Sequence, residues 1–471
     1  MNLSKKVALN TIVQIFSKAV SIALGLIAVA IMTRYLGPIG FGQYTTIITF
    51  LSFFAVAADL GLTLVTVQMI SQPGIDQDEV LSNLFSLRLF TAAFLLLLAP
   101  LSVFFFPYDP QVKIGVMLAA ASFLFVALNQ ILVGLFQKNL RLDKVSIAEI
   151  ASRIILALGI FFVAHFNYGL NGIVIVTALS SLLSFLLHYL FSLKLAKIKL
   201  NFNFKIWQEI IKKSWPIGLT IVFNLIYLRA DTLILSLFKG QAEVGIYGAT
   251  YKVIDVLITL PFIFAGIVLP IMTLGWQTSK ERFNAIMQKA FDFMVILALP
   301  LVFGAQFVAE RIMTLVAGED FAASGVILKI LIAASSIIFV GTMFSHGVIA
   351  LDKQKKIISA YIFTAITALA GYLIFIPKYS YYGAAWVTIY SELIIALASF
   401  YIVWKYSRFL PNLKIVGKSL LASVGMSVVL YFSSNLNLFA VLFFASASYF
   451  IFLYLLKGIE KQYLLDLIRK S

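Results

Sequence analysis

An all-α protein threaded about fourteen times through a membrane is what this sequence predicts, and three observations carry the prediction. Of its 471 residues, 62% are hydrophobic and only 12% charged, with 43 Phe and a mean hydropathy of +1.01. Apolar stretches of ~18 residues or more, long enough to cross a bilayer as helices, follow one another and leave no segment long enough for a soluble domain. Between them, loops dense in Lys and Arg alternate with sparse ones, as cytoplasmic and outer loops do.

In chain order the spans fall near 8–33, 42–70, 82–106, 112–137, 145–165, 171–193, 215–238, 243–273, 287–309, 323–350, 357–376, 383–404, 415–433 and 437–457. Lys5 and Lys6 ahead of an apolar run, with Ala28-Val29-Ala30 inside it, imitate a secretory signal. The run is too long for one and carries Gln14 and Lys18, so it reads as a retained span. The second, eighth and tenth spans are long enough to tilt or to project past the bilayer. Spans thirteen and fourteen carry almost no intramembrane charge and read as an appended hairpin facing lipid.

With the N-terminus inside, 25 Lys and Arg residues fall on one side against six on the other: Arg34, Lys113, Lys239, Arg311, Lys329 and Lys378. Both termini are therefore expected in the cytoplasm and the chain in the cytoplasmic membrane. Only the loop 71–81, with Asp76, Asp78 and Glu79, leans the other way. The net charge of +16 thus marks loops and calls for no nucleic acid. No Cys is present, which excludes disulfides, thiolate metal sites and a Cys nucleophile. His165, His188 and His346 are scattered away from ligand spacing, so neither a metal nor any other cofactor is expected.

An internal repeat divides the chain. Gly37-Pro38-Ile39-Gly40-Phe41-Gly42-Gln43-Tyr44 follows span one, and Gly240-Gln241-Ala242-Glu243-Val244-Gly245-Ile246-Tyr247 follows span seven at an offset of 203. Tyr168 and Gly172 match Tyr379 and Gly383 at an offset of 211. Six spans per copy give both copies the same orientation, so two halves are expected about an axis along the membrane normal. The organisation predicted is an N-terminal six-helix lobe (1–193), a cytoplasmic amphipathic linker (194–214), a C-terminal six-helix lobe (215–404), and an extra two-helix hairpin with a cytoplasmic tail (405–471). Trp207 sits in the basic linker, which could lie on the anionic inner leaflet.

A charge at bilayer depth costs about 2.5–3.5 kcal/mol on insertion scales and faces a bundle interior or a wet cavity. Asn10, Gln14, Ser17, Lys18 and Ser21 make a polar stripe on span one; its uncharged members suit packing between helices, and Lys18 suits a cavity. Asp59 reads as a salt bridge to a neighbouring helix, Lys18 being one partner, or as a cavity carboxylate. Arg88 and Arg153 lie nearer span ends, where arginine can snorkel to head groups. Asn224, Tyr227 and Asp231 share a face of span seven, whereas Arg229 points about 200° away from Asp231 and cannot simply pair with it. Lys252 and Asp255 can pair locally, lining a cavity or merely neutralising one another. Glu392 is isolated, a candidate ion or proton site, and His346 reads as a satisfied interior residue. No phosphate-binding GxxxxGK[ST] loop and no long outer loop with clustered acids is present, which argues against an enzyme.

Thr33-Arg34-Tyr35-Leu36-Gly37-Pro38-Ile39-Gly40-Phe41-Gly42-Gln43-Tyr44 resembles the opening of the polysaccharide flippases, the Wzx-like branch of the multidrug, oligosaccharidyl-lipid and polysaccharide exporter superfamily, which also holds the MATE-like transporters. The resemblance continues at Arg229-Ala230-Asp231-Thr232-Leu233-Ile234-Leu235, at Val244-Gly245-Ile246-Tyr247 and at Tyr382-Gly383-Ala384-Ala385. It implies two six-helix lobes around a central cavity, alternating access, and export of an undecaprenyl-pyrophosphate-linked oligosaccharide to the outer leaflet. Family members hold the pyrophosphate and sugar with basic residues, a role that Lys18, Arg229 and Lys252 suit and Arg34 suits less. Asp59, Asp231, Asp255 or Glu392 could bind a coupling H+ or Na+. The partners implied are the lipid-linked oligosaccharide, membrane lipids and other polysaccharide-assembly proteins. The alternatives are a peptidoglycan lipid flippase, a cation-coupled multidrug exporter and, from another class, a membrane-embedded glycosyl polymerase or ligase.

Overall fold

The computed structural model describes residues 3–72 and 74–458, with the side chains of residues 3–12, 15, 216, 217 and 220 outside the description. The tail expected beyond residue 458 and the side chain of Asn10 therefore lie outside the described residues. The protein is an all-helical, multi-pass membrane protein. Its helices are α1 (Leu3–Asp59), α2 (Leu62–Ile70), α3 (Gln77–Ser102), α4 (Pro110–Lys138), α5 (Leu142–His165), α6 (Gly169–Ser192), α7 (Phe204–Phe238), α8 (Gln241–Thr278), α9 (Lys280–Ala317), α10 (Ala323–Ala350), α11 (Gln354–Ser407), α12 (Lys414–Phe432) and α13 (Leu438–Leu455).

Among the described residues twelve helical stretches are long and apolar enough to cross a membrane. Two of them are too long to be single crossings. The 57 residues of α1 would extend about 85 Å at 1.5 Å per residue, against a hydrocarbon core of ~30 Å. α1 is broken at Gly37 (φ 62°, ψ −178°), a conformation all but reserved for glycine, and Pro38 follows. α11, of 54 residues, is broken in the same way at Ser380 (φ 53°, ψ −138°). The span expected as one helix over 42–70 is also interrupted: Leu60 (φ 44°) and Gly61 (φ 80°) are both left-handed and separate α1 from α2.

The described residues form two compact units, one ending at Gly248 and the other beginning at Ala249. In the first, one core gathers Leu62, Leu84, Leu132 and Phe136, and a second gathers Ile47, Leu51, Val112 and Val116. Tyr108, in the turn between α3 and α4, reaches Ser236 Oγ of α7 at 2.8 Å, and burial pushes its phenol up to about 12, so it stays protonated. In the second unit Met287, Met294, Phe339 and Met343 join Met426, Leu430 and Tyr449 of the last two helices in one core. The hairpin α12–α13 thus packs on α9: the Tyr449 hydroxyl donates to Ile296 O at 2.7 Å, and Arg311 donates to Ser434 O and Leu436 O. Phe432, Phe443 and Leu455 remain exposed on its outer face.

The linker after α6 is an extended strap tied to α3. Lys199 N donates to Ser82 Oγ (3.1 Å), Asn201 N to Ser86 Oγ (2.8 Å) and Asn203 N to Asn83 Oδ1 (2.9 Å). Asn203 then caps α7, which begins at Phe204 and runs without interruption into the seventh span. Trp207 is buried against Phe90, Phe202 and Phe204, while Lys194, Lys197, Lys199 and Lys205 stay exposed.

The two copies of the glycine motif meet each other. A Cβ on Gly42 would stand 1.7 Å from Gln241 O, and a Cβ on Gly245 would stand 2.0 Å from Pro38 O. Gly42 corresponds to Gly245 and Pro38 to Gln241 at the offset of 203, so the contact is reciprocal, as a local two-fold requires. Thr45 and Gly248, related by the same offset, pack together beside it, and Thr46 Oγ1 donates to Gln241 Oε1 at 2.8 Å. The glycines let two backbones touch, as small residues do where membrane helices cross closely. Gly42→Ala should therefore cost at least ~1–3 kcal/mol, the usual penalty of overpacking, read as a lower Tm in detergent. Gly266→Ala, where nothing lies within 4 Å of an added Cβ, should leave Tm unchanged.

Candidate functional site

The break between α1 and α2 frees backbone groups that hydrocarbon cannot satisfy. They find side chains instead. Ala58 O accepts from Thr91 Oγ1 of α3 at 3.2 Å, and Thr63 N, in the first turn of α2, donates to Asp59 Oδ1 at 3.3 Å. The same oxygen accepts from Thr63 Oγ1 at 2.5 Å, so Asp59 caps the helix that follows it. Gly218 of α7 makes room for the detour: a Cβ there would come within 2.6 Å of the Leu60 carbonyl carbon.

Against this break lies Arg88 of α3, 1% exposed. Its Nη2 donates to Gln130 Oε1 at 2.6 Å and its Nε to Ala127 O at 3.2 Å, both on α4. Nη1 stands 3.0 Å from Asp59 Oδ1, close enough for an ion pair, yet at an angle that makes no hydrogen bond. The expectation that Arg88 snorkels is thus overturned. Its guanidinium turns inward to Asp59 and to α4 and is buried, instead of reaching along the helix towards a span end. The partner of Asp59 is Arg88, not Lys18. Asp59, Thr63, Arg88 and Gln130 face a cavity of about 310 Å³ whose apolar lining includes the exposed Leu64 and Val126.

Other sequence-predicted residues fall elsewhere. Lys18 is exposed on α1, beside Ser17, which bonds Ser146 Oγ of α5 at 2.7 Å and so acts as packing between helices. Asp231 is fully buried and accepts from Tyr247 Oη at 2.7 Å and from Thr232 N and Oγ1, while Asn224 donates to Tyr227 Oη at 2.8 Å one turn earlier. Arg229 is half-buried. In the second unit Lys252 and Asp255 are half-buried, and Glu392 is buried with Oε1 lacking a hydrogen-bond partner among the described residues. The structure joins Asp59 to Arg88 and Asp231 to Tyr247. Sequence reasoning left Arg88 and Gln130, which line this cavity, out of the candidate site, and the signal that could have drawn Arg88 in is that it is a charge inside an apolar span.

The family model for polysaccharide biosynthesis proteins matches residues 31–326. The capsular polysaccharide biosynthesis protein CapF of Staphylococcus aureus is 21% identical over 371 residues, covering 78% of this chain and 91% of that one. The probable low-salt glycan biosynthesis flippase Agl15 of Haloferax volcanii is 22% identical over 373 residues, covering 78% of this chain and 76% of that one. In fold, the chain is similar to the lipid II flippase MurJ in an inward closed conformation, with a TM-score of 0.78 at 18% identity over 98% of this chain and 100% of that one. It is also similar to an inward-facing MATE family multidrug resistance transporter of the MOP superfamily, with a TM-score of 0.68 at 14% identity over 84% of this chain and 97% of that one.

Removing either member of the buried pair leaves the other charge unpaired, which typically costs ~3–5 kcal/mol. Arg88→Met and Asp59→Leu should each lower Tm by the corresponding amount, and the double variant should recover most of the loss. An additive double variant would contradict the pairing.

Proposed function

We propose, from the premise that the chain belongs to the polysaccharide biosynthesis protein family, that it is a flippase for a lipid-linked glycan. The finer reading is that it carries an undecaprenyl-pyrophosphate-linked oligosaccharide from the inner to the outer leaflet of the cytoplasmic membrane by alternating access, for surface polysaccharide assembly. The observation that carries it is the second span, broken inside the membrane where a buried arginine and aspartate line a cavity. Irregular backbone at that depth is tolerated where it is buried in protein or lines a water-filled cavity, and transporters place their substrate sites at such broken helices.

The chemistry follows from the substrate. A diphosphate between a glycan and a prenyl chain needs cationic donors where water is scarce, since attraction between opposite charges rises as the dielectric falls. Lys18 and Arg229, and separately Lys252, are the cations proposed to draw it in and pass it along the transport path. Any uncompensated charge moved across the membrane couples transport to the potential at about 2.3 kcal/mol per charge per 100 mV. The carboxylates Asp59, Asp231, Asp255 and Glu392 are the groups proposed to take up a compensating H+ or Na+.

The test is reconstitution in liposomes with a fluorescent lipid-linked oligosaccharide, measuring its arrival in the opposite leaflet. The wild-type chain should translocate it, and Arg229→Ala and Lys252→Ala should each slow translocation at least tenfold while Tm stays close to wild type. Full transport by both variants would overturn the cation assignment. Dye efflux without lipid movement would overturn the function.

A further inference from the structure

Asp59 occupies the position of a ligand. Its Oδ1 lies between Thr63 N, Thr63 Oγ1 and Arg88 Nη1: a helix N-terminus, a hydroxyl and a guanidinium, the set that elsewhere holds phosphate. The set is not saturated. Arg88 is buried almost completely, its Nη1 has no aligned hydrogen bond among the described residues, and the cavity of about 310 Å³ opens beside it. That volume is about ten times the ~30 Å³ that one water occupies in the liquid, enough for a phosphate or diphosphate with some of its hydration and too small for an oligosaccharide.

We infer that Arg88, Thr63 and the first amides of α2 form an anion-exchange site in which Asp59 is the resident anion and a phosphate-ester headgroup the incoming one. The identity of that headgroup rests on the flippase reading; the exchange itself does not. An arriving phosphate takes the Arg88 guanidinium bidentately, with Gln130 holding Nη2 in place, and Asp59 is released into the cavity. Among the described residues no other charged group lines the cavity: α4 offers Gln130 and α7 offers Ile221. The displaced carboxylate is therefore neutralised by one proton taken from water, because an isolated ion is costly there. One proton enters for each headgroup bound, and it leaves when the headgroup leaves and Asp59 returns to Arg88. The adjacent left-handed pair Leu60–Gly61 lets Asp59 swing without unwinding α2.

The test titrates the full-length protein with inorganic diphosphate in nanodiscs, by calorimetry in buffers of different ionisation enthalpy and by thermal shift. Asp59→Asn removes the competitor. It should bind diphosphate at least tenfold more tightly than wild type, gain more Tm from it, and lose the proton uptake. Arg88→Gln should abolish binding. Because Asp59→Asn can fold poorly, Thr63→Val serves as a second variant: it keeps the ion pair and should weaken binding several-fold. Running each titration in neutral lipid and in phosphatidylglycerol distinguishes the source. Equal tightening by Asp59→Asn in both assigns the site to the diphosphate, and tightening lost in phosphatidylglycerol assigns it to a bilayer headgroup. Asp59→Asn binding no more tightly than wild type, or no diphosphate binding by any form, would overturn the exchange even where glycan translocation is intact.

Discussion

Hydrocarbon leaves a charge or a free backbone amide nowhere to go, and the pairing of Arg88 with Asp59 is where this chain meets both demands at once. Breaking a span releases carbonyls from one helix and amides from the next. Burying an arginine demands a counter-ion. Here Asp59, the last residue before the break, serves as cap and counter-ion together, and α4 accepts from Nε and Nη2 of Arg88. The break and the pair share Asp59, and both border the cavity.

In the same unit the glycine crossing packs two helices backbone to backbone. Gly42 and Gly245 bring two backbones into contact, and the strap 194–203 ties α3 to the start of α7 through Ser82, Asn83 and Ser86. α3 carries Arg88 and α7 carries Gly218, so the strap joins the two helices that flank the break. The linker therefore works as structure, with its lysines outward and Trp207 inward.

Much of this was legible in the sequence. Composition and span length gave the membrane class, and the offset of 203 identified two copies of one motif, although nothing in the spacing said that the copies touch. Asp59 was visible as a costly charge. Its partner was not, because a pair between spans leaves no periodicity, and Arg88 was near enough to a span end to pass as a snorkelling residue. The break after Asp59 was signalled only by Gly61 in an otherwise apolar run; Leu60, which also turns left-handed, gives no compositional hint. Likewise the start of α7 at Phe204 depends on Asn203 as a cap, a cue hidden inside a basic loop.

The central claim is that the broken second span carries an anion site that Asp59 fills in the absence of substrate. Its most direct measurement is a structure of the full chain in nanodiscs with undecaprenyl diphosphate bound. The account predicts a phosphate oxygen within about 3 Å of the Arg88 guanidinium and the Asp59 carboxylate moved away from it. A bound diphosphate elsewhere, with the Arg88–Asp59 pair still at its 3.0 Å separation, would contradict the account.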